Sequence, residues 1–109
     1  MTKDDFANRV IGNLGGENAS FLEDLLAFVK ELLPVLIPLF GGCSGSRMRR
    51  SAERGRGVFY RTGMLRLNYT LSRHLGADDY AAYGNHLSAA LVNAVAQSTD
   101  SELEQLLAS

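Results

Sequence analysis

Leu22, Leu25, Leu26, Val29, Leu32, Leu33 and Leu36 recur at steps of three and four, the spacing that gathers side chains on one face of an α-helix. The spacing predicts a helix from residue 20 to about residue 40. Ser20 and Glu23 form a capping box at its start, in which the hydroxyl takes the third amide and the carboxylate returns to the cap. Glu23, Asp24, Ala27, Lys30 and Glu31 make the opposite stripe, and Pro34 and Pro38 continue it. A proline there strips the carbonyl four residues back of its amide, but on the wet side water replaces the lost donor. The expectation is a bent helix, or two abutting helices. Leu36, Ile37, Leu39 and Phe40 extend the apolar surface, and Phe21 and Phe28 widen it. So broad an arc predicts cover from more than one side. It points to a homo-oligomer whose interface takes in Leu25, Val29, Leu32, Leu33, Leu36, Ile37 and Phe40.

Shorter patterns flank this helix. Phe6, Val10 and Leu14 share a face after Thr2, with Asp4 and Asp5 suited to the positive end of a helix dipole. The pair Gly15 and Gly16 should end that helix. Residues 41–57 hold five glycines and five arginines, which predicts a long, flexible Arg/Gly-rich loop. From residue 58 to 75 two periods overlap. Tyr60, Met64, Leu67, Leu71 and Leu75 fit a helix face, while Leu65, Leu67, Tyr69 and Leu71 alternate with polar residues as in a strand. No second strand is on offer within the chain, so the helix is preferred, with a strand paired across a subunit interface as the alternative. Gly76 closes this element. A further helix runs from residue 77 or 78 to about residue 97, with Tyr80, Tyr83, Leu87, Leu91, Ala94 and Val95 inward and small residues beside them. Thr99 and Glu102 form a second capping box before Leu103, Leu106 and Leu107. The fold class expected is all-α: one domain over residues 1–109, a small bundle of four to five helices with the basic loop inside it.

Charge sharpens this picture. The chain of 109 residues carries a net charge of −1, yet residues 43–74 hold eight arginines against Glu53 alone. Residues 75–109 hold five acidic side chains and no Lys or Arg. Arginine pairs bidentately with carboxylate or phosphate. The cationic third therefore either folds against the acidic ends of its own or a neighbouring chain, or meets a polyanion. Arg47, Arg49, Arg50, Arg54, Arg56, Arg61 and Arg66 are the candidates for binding a polyanion or acidic partner.

Catalytic chemistry finds little footing. The single thiol, Cys43, lies between small residues, with His74 and His86 as the available bases. No local signature surrounds it, and an incidental thiol is the better reading. One cysteine excludes an internal disulfide framework and a multi-cysteine zinc site. His74 and His86 stand twelve apart, unlike the three or four of a helix-borne ligand pair. Asp78 and Asp79 serve as cap and dipole complement. No cofactor, metal or small-molecule substrate is expected. The segment from Gly41 to Ser46 lacks the Gly-Lys-Ser/Thr ending of a nucleotide-binding loop and follows no strand, while Arg54 to Gly57, entering a helix at Val58, offers its amides to an isolated anion. No run is long enough to span a membrane, since the longest uncharged apolar stretch has about twelve residues against the roughly twenty required. The start lacks the cationic opening of a secretion signal, so a cytoplasmic, intracellular or intravirion location is expected.

Two functions remain in view. The first is a non-enzymatic helical assembly or adaptor protein that self-associates through the leucine-rich helix and docks a polyanion or acidic partner through its arginines. The alternative is a DNA- or RNA-binding protein that reaches phosphates through residues 47–66, with Phe59 and Tyr60 available to stack on bases. Against the alternative stand a pI of 6.1 and a helix over residues 78–97 with no Lys or Arg, a poor recognition helix.

Overall fold

The computed structural model describes residues 1–14, 25–39 and 45–108; among residues 25–39 and 45–108, the side chains of residues 25, 26, 37, 38 and 45 lie outside the description. The described residues are all-helical. In chain order the helices are α1 (Lys3–Leu14), α2 (Leu25–Leu39), α3 (Gly45–Arg54), α4 (Val58–Gln97) and α5 (Asp100–Ala108).

α4 is the scaffold. It folds into a helical hairpin because Gly76 breaks it with φ 77° and ψ 168°, a conformation open to glycine and strained for other residues. The first arm covers residues 58–75 and the second 77–97. The arms lie side by side: the Ser88 hydroxyl donates to Asn68 Oδ1 at 3.1 Å, linking positions twenty apart in sequence. α1, α2 and α3 pack against α4, α1 also touches α2, and α5 closes on α3.

The core follows the helical stripes read from the sequence. Phe6 and Val10 enter from α1, Leu32 and Leu36 from α2, Leu67 and Leu71 from the first arm, Leu87 and Leu91 from the second, and Leu103 from α5. All of these are fully buried. Each such side chain contributes on the order of 2 kcal/mol by leaving water. The ambiguity over residues 58–75 resolves as helix. Leu67 and Leu71 turn inward while Leu65 and Tyr69 turn outward, so the alternation came from two opposite helix faces and not from a pleat.

α2 runs unbroken through Pro34. That residue is exposed, as are Ala27 and Glu31 of the same stripe. At Gly63 the first arm lies so close to α2 that an added Cβ would stand 2.2 Å from Leu39 Cα. Phe28 meets His74 with ring centroids 5.2 Å apart.

The caps are local. Thr2 and Asp5 exchange hydrogen bonds at 3.0 and 3.1 Å ahead of α1. Thr99 and Glu102 do the same at 3.1 and 3.0 Å ahead of α5, as its capping box predicted. The expected capping box of Ser20 and Glu23 and the glycine stop at residues 15 and 16 fall outside the described residues, as do Phe40 and Cys43.

Two expectations need correction. The long flexible loop over residues 41–57 is absent from its described part, since residues 45–54 form α3. Met48 and Ala52, four apart, are buried and give this helix an inward edge, and Arg, Met, Ala and Glu are good helix formers. Gly55 ends it at φ 62°, its amide donating to the Ser51 carbonyl at 2.9 Å, the left-handed glycine stop. The linker between α3 and α4 is three residues, 55–57. The second correction concerns the expected excess of apolar surface on α2. Val29, Leu32 and Leu36 are fully buried and Leu33 is 5% exposed. The chain's own helices cover them, so this stripe offers a second copy no surface at those positions. Leu25, Ile37 and Phe40 of the expected interface have side chains outside the description.

Candidate cationic face

The arginine segment splits into an inward residue and an outward group. Arg49 on α3 points to α5, where its Nε lies 2.7 Å from Asp100 Oδ1. Both atoms are sealed from water and lack a well-aligned hydrogen bond to any other group, so each is the other's charge partner. A second arginine acts likewise on α5 from α1. Arg9 contacts both Glu102 carboxylate oxygens, at 3.0 and 3.3 Å, and donates to the Ser98 hydroxyl at 2.7 Å. The Arg9 guanidinium and the Thr99 amide hold the Glu102 carboxyl at a pKa of about 2. The Thr2 cap lowers Asp5 similarly, through its amide first and its hydroxyl second. Lys30 pairs with Asp4, joining α2 to α1. Part of the cationic surplus thus folds against the chain's own acidic ends.

The outward group behaves differently. Arg47, Arg50, Arg54, Arg56, Arg61 and Arg66 are all exposed. Arg50 Nε reaches the Ser46 carbonyl of its own helix at 3.4 Å. Among the described residues no ion pair engages Arg54, Arg56, Arg61 or Arg66. α3 and the 55–57 linker bring Arg54 and Arg56 to the start of α4, and the outer side of the first arm carries Arg61, Arg66 and Arg73 onward. Arg73 lies over the Tyr69 ring, 5.7 Å from its centroid. Large apolar side chains share this surface. Val58, Phe59, Leu65 and Tyr69 are 63–73% exposed. Phe59, expected as a stacking residue, stands in solvent; Tyr60, its expected companion, is half-buried.

The outward apolar residues are what the sequence reading missed. Val58, Leu65 and Tyr69 lie at steps of seven and four, the seam opposite Leu67 and Leu71. The signal was present in the alternation over residues 65–71, once assigned to two helix faces.

The remaining candidates do not converge. His74 and His86 are both exposed. Among the described residues no three His, Cys, Asp or Glu side chains gather at one point, and no helix is long and apolar enough to cross a membrane. The open end of α4 at Gly57 has no side-chain cap.

Comparison of the chain with models of protein families, with curated proteins and with solved structures finds no match.

Proposed function

We propose that the protein is a non-enzymatic helical adaptor whose Arg-rich face, built by α3, the 55–57 linker and the first arm of α4, docks an acidic partner. The observation that carries this reading is the division among the arginines. Arg9 and Arg49 sit against carboxylates of the same chain, while Arg54, Arg56, Arg61 and Arg66 face water beside exposed Val58, Leu65 and Tyr69. From Arg54 to Ala77 the sequence contains no acidic residue, so a carboxylate-bearing partner meets cations without repulsion. Exposed aliphatic side chains among the cations favour a protein surface, since they give phosphate and sugar nothing to pair with.

DNA or RNA binding is the second reading, favoured by exposed Phe59 and by the stacked pair of Arg73 and Tyr69. One experiment weighs the two: titration of the full chain with a poly-glutamate peptide and with single- and double-stranded oligonucleotides at two salt concentrations. The adaptor reading expects binding of the peptide, weakened by salt and by the combined change Arg54→Ala, Arg61→Ala and Arg66→Ala. Tighter binding of an oligonucleotide, with a steep salt slope, transfers the face to nucleic acid. No binding of either removes the reading.

A further inference from the structure

Among the described residues the exposed large apolar side chains, Val58, Phe59, Leu65 and Tyr69, all lie on the first arm of α4. Three of them share a seam. Val58, Thr62, Leu65 and Tyr69 follow one another at steps of four, three and four, and all four are exposed. Such steps are the a and d positions of a heptad, the seam along which one helix packs lengthwise on another. In that register Val58 and Leu65 stand at d, and Thr62 and Tyr69 at a. Fully buried Leu67 then falls at f, on the opposite side of the helix, so the seam faces away from the bundle.

The arginines fall beside the seam. Arg61 takes a g position, and Arg66 and Arg73 take e positions. All three are exposed. With 3.6 residues per turn they stand about 60° to either side of the seam, Arg61 on one flank and Arg66 and Arg73 on the other. Charges at e and g choose a partner helix and its orientation. Arg73 also lies over the Tyr69 ring, 5.7 Å from its centroid, so one flanking cation rests on an aromatic residue of the seam itself.

We infer that the partner docked by this face is an acidic amphipathic helix of another protein, laid along the seam from Val58 to Tyr69. Its apolar stripe covers Val58, Leu65 and Tyr69, and Glu or Asp on both flanks of that stripe meet Arg61 on one side and Arg66 and Arg73 on the other. The inference rests on the proposed adaptor reading and names the form of its acidic partner. The seam extends about 17 Å along the arm, so roughly three turns of a partner helix cover it.

Charge and exposure select this occupant. A second copy laid seam on seam sets Arg61, Arg66 and Arg73 against arginines again, with no acidic residue from Arg54 to Ala77 to relieve them. No other described helix exposes a large apolar side chain, so a second copy has no matching stripe to offer. A flexible acidic chain meets the arginines but leaves the seam in water. A helix satisfies both together, because its apolar and acidic residues recur at the same spacing as the seam and its flanks.

Fluorescence anisotropy of labelled peptides titrated with the full chain tests it. The first peptide has about three heptads with Leu at a and d and Glu at e and g. The second has the same composition in an order without the heptad, and the third is poly-glutamate. The heptad peptide should bind at least tenfold tighter than the reordered one and gain helix on binding, read by circular dichroism. The combined change Leu65→Ala and Tyr69→Ala should weaken the heptad peptide at least tenfold and leave poly-glutamate binding unchanged. Arg61→Glu with Arg66→Glu should transfer preference to a heptad peptide with Lys at e and g. These positions are exposed, and circular dichroism verifies that each variant keeps its helices. Equal affinity for the heptad and reordered peptides, or heptad binding indifferent to the loss of Leu65 and Tyr69, overturns the inference. Poly-glutamate binding in that case leaves the adaptor reading standing. Tighter binding of anionic phospholipid vesicles or of an oligonucleotide than of the heptad peptide also overturns it. If no acidic peptide binds, both readings fail.

Discussion

The corner where α1, α3 and α5 meet and the outer side of the first arm of α4 are made of the same materials, arginine set among apolar side chains. They end in opposite states. At the corner Arg9 and Arg49 each find a carboxylate of α5, and Leu103 of the same helix is fully buried. On the outer arm Arg61 and Arg66 find none among the described residues, and Leu65 is 73% exposed. Arginine content alone therefore does not mark a binding surface. What marks it is arginine left without a carboxylate next to large apolar groups left without cover.

The largest effect should come from moving between the two sides of one helix. Leu67 and Leu65 are two residues apart on the first arm, one fully buried and one turned outward. Leu67→Ala should cost about 2–5 kcal/mol of folding stability through lost burial and the cavity it leaves. Leu65→Ala should stay within about 0.5 kcal/mol. Urea denaturation of both variants measures the difference. Equal losses would mean that the outward face is covered after all.

Next comes Gly63, on the flank of the same arm. Its hydrogen faces Leu39, and an added methyl would stand 2.2 Å from the Leu39 Cα and from one of its side-chain carbons. Backbone cannot yield as a side-chain tip does. Gly63→Ala should cost about 1–3 kcal/mol or more by overpacking, whereas Gly12→Ala, with open space around the new methyl, should be neutral or slightly stabilising through helix propensity. Thermal melts of the two variants give the comparison directly.

How much of this was legible beforehand depends on which helix face carried the signal. Wherever an inward stripe was long, as in Leu32 to Leu36 or Leu87 to Val95, period and burial agree and the helix was found. The break at Gly76 was legible because glycine stood between two complete patterns. α3 was not. Its inward edge is only Met48 and Ala52, and the glycines and arginines around them outweighed two apolar positions. The overestimate on α2 has a different cause. A stripe's width can be read from the sequence, but the cover supplied by a 40-residue hairpin cannot, because it depends on how the arms fold back. The outward seam of Val58, Leu65 and Tyr69 hid inside an apparent strand alternation. Its exposure became visible only when Leu67 and Leu71 had been placed inside.

The elbow offers a smaller effect. At Gly76, φ 77° with ψ 168° costs any other residue about 1–3 kcal/mol, although the space around it is open. Gly76→Ala should therefore destabilise by strain alone. A second change that improves packing nearby should not relieve it, which separates it from the steric effect at Gly63. Gly76→Ala should also loosen the angle between the arms and so weaken any contact that uses both. A melting temperature equal to wild type would show that the elbow tolerates a side chain.

The smallest effect belongs to the paired corner and appears with pH. Glu102 has an ordinary carboxyl pKa near 4.5 when unfolded and about 2 in the fold, set first by the Arg9 guanidinium and next by the Thr99 amide. A carboxyl whose pKa is lowered by folding stabilises the fold fully above its unfolded pKa and loses that contribution as pH falls through its folded one. The window is therefore roughly pH 4.5 down to pH 2, and Asp5, lowered by the Thr2 cap, acts in the same direction below its ordinary 3.8. Wild-type protein should lose stability steadily across that window, and Glu102→Gln should start lower and lose less. Because the pair is open to solvent, added salt should shrink the difference between the two proteins. Arg61 and Arg66 face no carboxylate of their own chain among the described residues, so Arg66→Ala should follow the wild-type acid profile. If Arg66→Ala instead flattened that profile as Glu102→Gln does, the outer face would share the corner's internal pairing, and the contrast between the two regions would be lost.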